Sequence, residues 1–135
     1  MANFNTKPLV YSCAGCTHGA QIANDIAALL YHEGVADVSC ISGVSGCVHE
    51  FLSVAHSGRE ILALDGCPQH CVHKILQQQS IQPTWHVDIT DVLEEKIDTA
   101  NTPNKEYSLA DTYHALEYVY AKLGLGKVMT CLPKL

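Results

Sequence analysis

The sequence predicts an α/β fold, a three-layer sandwich whose four-stranded, mostly parallel sheet has the order 2-1-3-4 with flanking helices. Three observations predict it. Short apolar runs alternate with segments of helical periodicity, giving the order β-α-β-α-β-α-β-α. Ile61-Leu62-Ala63-Leu64 is continuously apolar, as expected of a strand buried on both faces. Right-handed crossovers then place the first strand between the second and the third.

The first strand is read at Pro8 to Ser12. A helix follows from about His18 to Glu33, with Ile22, Ile26, Leu29 and Leu30 on one face and Gly34 as its stop. Val35 to Ser39 is the second strand, and Cys40 stands at its end. Gly43 and Gly46 are expected to turn the chain into a second helix from about Cys47 to His56, with Val48, Phe51, Leu52 and Ala55 inward. After the third strand, Pro68 suits the first position of a third helix, where its missing N–H costs nothing; Val72, Ile75 and Leu76 form the inner face. Trp85 to Ile89 alternates apolar and polar residues, which predicts an edge strand. Asp98 to Glu106 reads as a linker. Ser108 and Asp111, in capping-box spacing, open a last helix with the stripe Leu109, Tyr113, Leu116, Tyr120 and Leu123. The expected organisation is a single domain over residues 1–135, with a core at 8–97, a linker at 98–106 and a C-terminal helix at 107–124 packed on that core.

Composition narrows the function. Of the 135 residues 47% are apolar and 16% charged, which suits a packed globule. The net charge is −6 and the eight Lys and Arg are scattered, so no nucleic-acid partner is expected. Met1 to Lys7 lacks the apolar core of a signal peptide, and the apolar stretch Ile26 to Tyr31 is too short to span a bilayer. A cytoplasmic location without membrane contact is the expectation. Seven cysteines, an odd number, are then expected to be thiols rather than a disulfide framework.

Cys13-Ala14-Gly15-Cys16, Ser39-Cys40 and Asp65-Gly66-Cys67-Pro68-Gln69-His70-Cys71 each fall where a strand gives way to a helix. Such corners gather at the carboxyl edge of a parallel sheet, where ligands bind. Adjacent strands lie about 4.8 Å apart and the sulfurs of a tetrahedral zinc site roughly 3.8 Å apart, so neighbouring corners can share one ion. Cys13 and Cys16 have a two-residue gap that lets both grip a metal. Cys67 and Cys71 are four apart and would share one face of a first helical turn. Helix N-termini beside Cys16 and Cys67 would favour thiolates. Asp65 is expected to accept N–H bonds in its turn and so steady Cys67 behind the ligands. Cys40 shares the edge as a further metal candidate. Cys47 and Cys131 read as structural residues, and His18, His70 and His73 as solvated helical histidines more than ligands or proton donors.

Cys13-x-x-Cys16, Asn24-Asp25-Ile26-Ala27, Ser39-Cys40-Ile41-x-Gly43-Val44 and Leu64-Asp65-Gly66-Cys67-Pro68-x-x-Cys71 together resemble the DGC-domain family, small proteins described as zinc-binding and named for their central Asp-Gly-Cys. The similarity covers about Val10 to Asp91. It implies a cysteine metal site, with Cys13, Cys16, Cys67 and Cys71 as ligands and Cys40 as a fifth motif cysteine, and it implies no reaction.

Three functions fit. The first is a zinc-binding domain whose ion is sensed, carried or used in metal–thiolate chemistry. The second is a thiol redox or sulfur-transfer enzyme using the Cys-x-x-Cys pair. The third is an iron–sulfur protein, because four thiolates also hold a cluster. A cysteine phosphatase is disfavoured: the Arg required six residues after the nucleophile is replaced by Gly19 after Cys13 and by His73 after Cys67. The tyrosines of the last helix would cover the protein's own core or, failing that, meet a second copy in a homodimer.

Overall fold

Strands β1 (Leu9–Ser12) and β3 (Ile61–Asp65) form the centre of the sheet, with Leu9 opposite Ile61 and Ser12 opposite Leu64. β2 (Asp37–Val38) pairs with the free side of β1, and β4 (Trp85–Asp88) with that of β3. All pairs are parallel and the order is β2-β1-β3-β4, as the sequence predicts. The computed structural model describes residues 7–13, 18–66, 69–94 and 109–124.

Period-two alternation sends the strand side chains into two separate cores. Val10, Leu62, Leu64 and Val87 pack with α1 (His18–His32), α5 (Ile89–Glu94) and α6 (Leu109–Lys122). Leu9, Tyr11, Ile61 and Ala63 pack with α2 (Ile41–Ser45), α3 (His49–Ala55) and α4 (Cys71–Gln78). Every residue of β3 is buried, as its continuous apolar run requires. Ile22, Ile26 and Leu30 of α1 are buried at helical spacing, while Leu29 sits at the margin. Each such fully buried aliphatic side chain contributes roughly 1.5–3 kcal/mol.

Several boundaries differ from the sequence reading. The expected Gly43–Gly46 turn is the short helix α2. The Cys40 sulfur accepts the Gly43 N–H at 3.4 Å as its N-cap, and Gly46 is its C-cap. Phe51 lies over Gly43 so closely that a Cβ there would stand 2.2 Å from its ring. Cys47 has a left-handed φ of 57°, so α3 begins at His49 rather than at Cys47, and Val48 is exposed. The third helix has Cys71 as its first residue and His70 as a left-handed N-cap; Cys67 and Pro68, expected in its first turn, lie outside the described residues. β4 stops at Asp88, because that side chain caps a further helix, α5, by accepting the Thr90 N–H at 2.9 Å. Ile89 is consequently a core residue of α5. Leu109 is exposed, whereas Leu116 and Tyr120 carry the inner stripe of α6. The linker at 98–106 and the Ser108 cap lie outside the described residues.

The entry of α1 is fixed by backbone meeting backbone. A Cβ on Gly19 would lie 2.1 Å from the Gly66 carbonyl oxygen, and one on Gly66 would lie 2.3 Å from the Ala20 Cα. The start of α1 therefore presses on the turn that follows β3, and only glycines permit that approach. In an open helix Gly→Ala stabilises by about 1 kcal/mol. Gly19→Ala is expected to lose about 1–3 kcal/mol instead, through overpacking. Urea unfolding of the variant checks this, and a gain in stability would show that the contact is not confining.

Tyr11 is the least comfortable side chain of the core. It has no exposed surface, and its hydroxyl makes no hydrogen bond of good geometry among the described residues, the Ser39 side chain being a nearby polar influence. Burial pushes the phenol pKa up, against opposing influences of the Ser39 side chain and the Arg59 guanidinium. A phenol with a raised folded pKa gives its full stabilising share below the ordinary tyrosine value near 10 and loses it as pH climbs beyond. Tyr11→Phe should be neutral or stabilising by about 1 kcal/mol near neutral pH. It should also lose less stability than the parent protein between about pH 8 and about pH 11. Denaturation curves at both pH values test the pair of expectations; a substantial loss in Tyr11→Phe at neutral pH would refute the first.

Candidate functional site

The carboxyl ends of β1 and β3 meet directly. The Cys13 N–H donates to the Leu64 carbonyl at 3.0 Å, which extends the ladder by one bond past the strand. Cys13 keeps the parity of Leu9 and Tyr11, so its side chain enters the α2–α4 core and is buried. Cys71, the first residue of α4, is exposed. The two line one hollow of about 430 Å³, together with Ile41, Ser42, Ser45 and Ile75. Two residues fifty-eight positions apart in sequence thus line one hollow at the carboxyl edge. Cys16 and Cys67, the other two expected ligands, lie outside the described residues, as does Cys131.

Cys40 is placed differently. Its sulfur caps α2, and it borders another hollow, of about 550 Å³, with Phe51, Val54 and Arg59. Cys47 is exposed near Gln79, whose amide lies 3.9 Å from its sulfur. Among the described residues no three His, Cys, Asp or Glu side chains converge as a metal-holding group. Cys13 and Cys71 are thiols, a donor type that suits a soft metal, and two sulfurs are half of what a four-thiolate site would need.

Asp65 carries the corner. It has no exposed surface, yet its carboxylate accepts the Val72 N–H at 2.8 Å, the His73 N–H at 3.3 Å and a bond from His86 Nε2 at 2.7 Å. The first two are orphan donors of the first turn of α4. A carboxylate from the preceding strand therefore occupies the helix N-terminus, and those two donors are not open to a bound oxyanion. The turn-anchoring expected of Asp65 from the sequence takes this form.

A second carboxylate repeats the arrangement one strand further out. Asp88 accepts from His70 Nε2 at 2.6 Å and from both the backbone N–H and the hydroxyl of Thr90. An ionised carboxylate only accepts, so with both acids in that form each imidazole donates from Nε2. The rings of His70 and His73 pack on His86, with centroids 4.9 Å and 4.8 Å away. His70 and His73 are therefore partly buried members of a cluster rather than solvated helical residues, and His18, at the start of α1, is exposed. His86 and Asp88 escape a sequence reading because alternation on an edge strand mimics a wet face. The available signal is that β3 and β4 both end in aspartate, at the edge where sites form.

A family model described as the DGC domain matches residues 9–115. The match continues past Asp91 into α6, further than the motifs alone indicate. One curated relative is the anaerobic and virulence modulator AnvM of Pseudomonas aeruginosa, 49% identical over 84 residues. The aligned part is 62% of this chain and 64% of AnvM, so it spans just under two thirds of that protein. No solved structure matches significantly. From the first residue of β1 into the last described helix, the chain belongs to the DGC domain family.

Proposed function

We propose that this domain is a thiolate metal-binding module with a regulatory role, in which Cys13, Cys16, Cys67 and Cys71 hold one zinc ion. The observation that carries the reading is the shared hollow of Cys13 and Cys71 at the carboxyl edge of the sheet. Sequence supports the other two ligands: Cys67 directly follows Gly66, and Cys16 precedes Gly19 by three residues, the glycines whose backbones touch. A bound zinc would tie the corner after β1 to the corner after β3 through four sulfurs. The protein's own share is to exclude water around Cys13, to hold the start of α4 through Asp65, and to leave Cys71 open to exchange.

A regulatory role accords with the name of AnvM, a modulator. That name also refers to anaerobic conditions, and exposed thiolates are sensitive to oxygen and its products. A second reading, thiol redox chemistry, is favoured by one contrast: Cys71 is exposed and Cys13 is only 6% exposed, the arrangement of an attacking thiol and a resolving partner.

Protein purified without oxygen and analysed for metal and sulfide separates the readings. The zinc reading expects colourless protein with one zinc per chain. Brown protein with iron and labile sulfide would replace it with an iron–sulfur cluster, and metal-free protein that catalyses exchange between an added dithiol and an added disulfide would replace it with redox chemistry. Cys13→Ser and Cys71→Ser should each weaken zinc binding by about 2–3 kcal/mol, on the order of 100-fold, if four ligands share a binding free energy of about 10 kcal/mol. Cys40→Ser retains an acceptor for the Gly43 N–H and should leave zinc affinity unchanged. A tenfold shift (about 1.4 kcal/mol) in that variant would bring Cys40 into the ligand set.

A further inference from the structure

The edge strand β4 contributes no thiol, yet two of its four residues point polar groups at the start of α4. His86 donates to Asp65 from below the helix, and Asp88 takes the ring of His70 beside it. His70 is the residue immediately before Cys71, and its backbone is left-handed, with φ 53° and ψ 48°. A residue with a Cβ is disfavoured in that region and is steadied by whatever partner holds it there. The bond from its ring to Asp88, itself pinned by Thr90, supplies that hold.

We infer that β4 is a clamp on the thiol corner, with His86 and Asp88 as positioning residues that fix where Cys71 stands relative to Cys13. As far as zinc is concerned, the inference rests on the reading of Cys71 as a ligand. The chain of contacts is short. His86 completes the hydrogen-bonding of the buried Asp65 carboxylate, Asp65 holds the N–H groups of Val72 and His73, and those residues directly follow Cys71. Without the His86 donor, Asp65 is left a buried anion short of one strong bond, and it is drawn towards other donors. The first turn of α4 moves with it. Without the His70 bond, the backbone entering Cys71 loses its restraint. The roles are conformational: neither imidazole needs to reach the metal, and the His70, His73 and His86 side chains do not converge as a ligand group.

The test compares His86→Leu, which loses the donor, with His86→Gln, whose amide N–H can make the same bond to Asp65. Two readouts are taken on the 135-residue chain under reducing, oxygen-free conditions: zinc affinity by competition with a chelating dye, and the alkylation rate of Cys71 in metal-free protein, with exposed Cys47 as internal reference. The expectation is that His86→Leu weakens zinc binding about tenfold or more, in the range for loss of an outer partner of a metal ligand. It should also change the Cys71 rate by at least about threefold relative to Cys47, with His86→Gln restoring both. Wild-type values for His86→Leu in both readouts, in folded protein, would overturn the clamp. Should His86→Leu not fold, His70→Gly serves instead: glycine adopts the left-handed backbone freely but has no ring for Asp88, and the same two changes are expected. If wild-type protein binds no zinc, the metal reading fails, and the clamp stands or falls on the alkylation of Cys71 alone.

Discussion

A carboxylate with no contact with water organises one end of this domain. Asp65 closes the central strand β3, takes the first free N–H groups of α4 and receives a ring hydrogen from β4. A buried charge is tolerated only where its lone pairs are satisfied, and three donors from two neighbouring elements do that here. The constraint acts both ways. The helix and the edge strand are held in register by one side chain, and that side chain keeps its full set of donors only while they remain there. The next residue, Gly66, is pressed against the start of α1, so the corner that follows β3 is confined from two sides.

The cysteines inherit their positions from this frame. Cys13 is placed by the ladder, since its N–H bonds to β3 and its side chain follows the inward parity of β1. Cys71 is placed by the helix that Asp65 anchors. One is sheltered and the other is open to solvent. Cys40, which the sequence sets on the same edge, turns instead to the backbone of its own short helix.

How far this could be read from residues alone depended on the length of each signal. The sheet order follows from long alternating segments and from chirality, and β3 declares its burial through an unbroken apolar run. α2 and α5 were hidden because a helix of five or six residues shows little more than one apolar repeat, and Ile41-Ser-Gly-Val reads as a turn. In hindsight Asp88 with Asp91 marks a helix start. The cysteine pairs were visible as spacing. His86 and Asp88 were not, because nothing in Trp85-His-Val-Asp distinguishes polar side chains facing water from polar side chains bound to partners inside the protein. That distinction is made by the partner, and Asp65 lies twenty-one residues upstream of His86.

The two margins of the sheet share a property that bears on solubility. β2 is only two residues long, too short to offer an incoming chain a ribbon of unpaired amides. β4 is longer, but it carries ionisable groups turned towards the protein interior, where a docking strand would force them out of their bonds. Both flanks therefore discourage edge-to-edge pairing at high concentration, and exposed apolar groups such as Val38 and Tyr31 sit beside a strand too short to recruit neighbours into fibres.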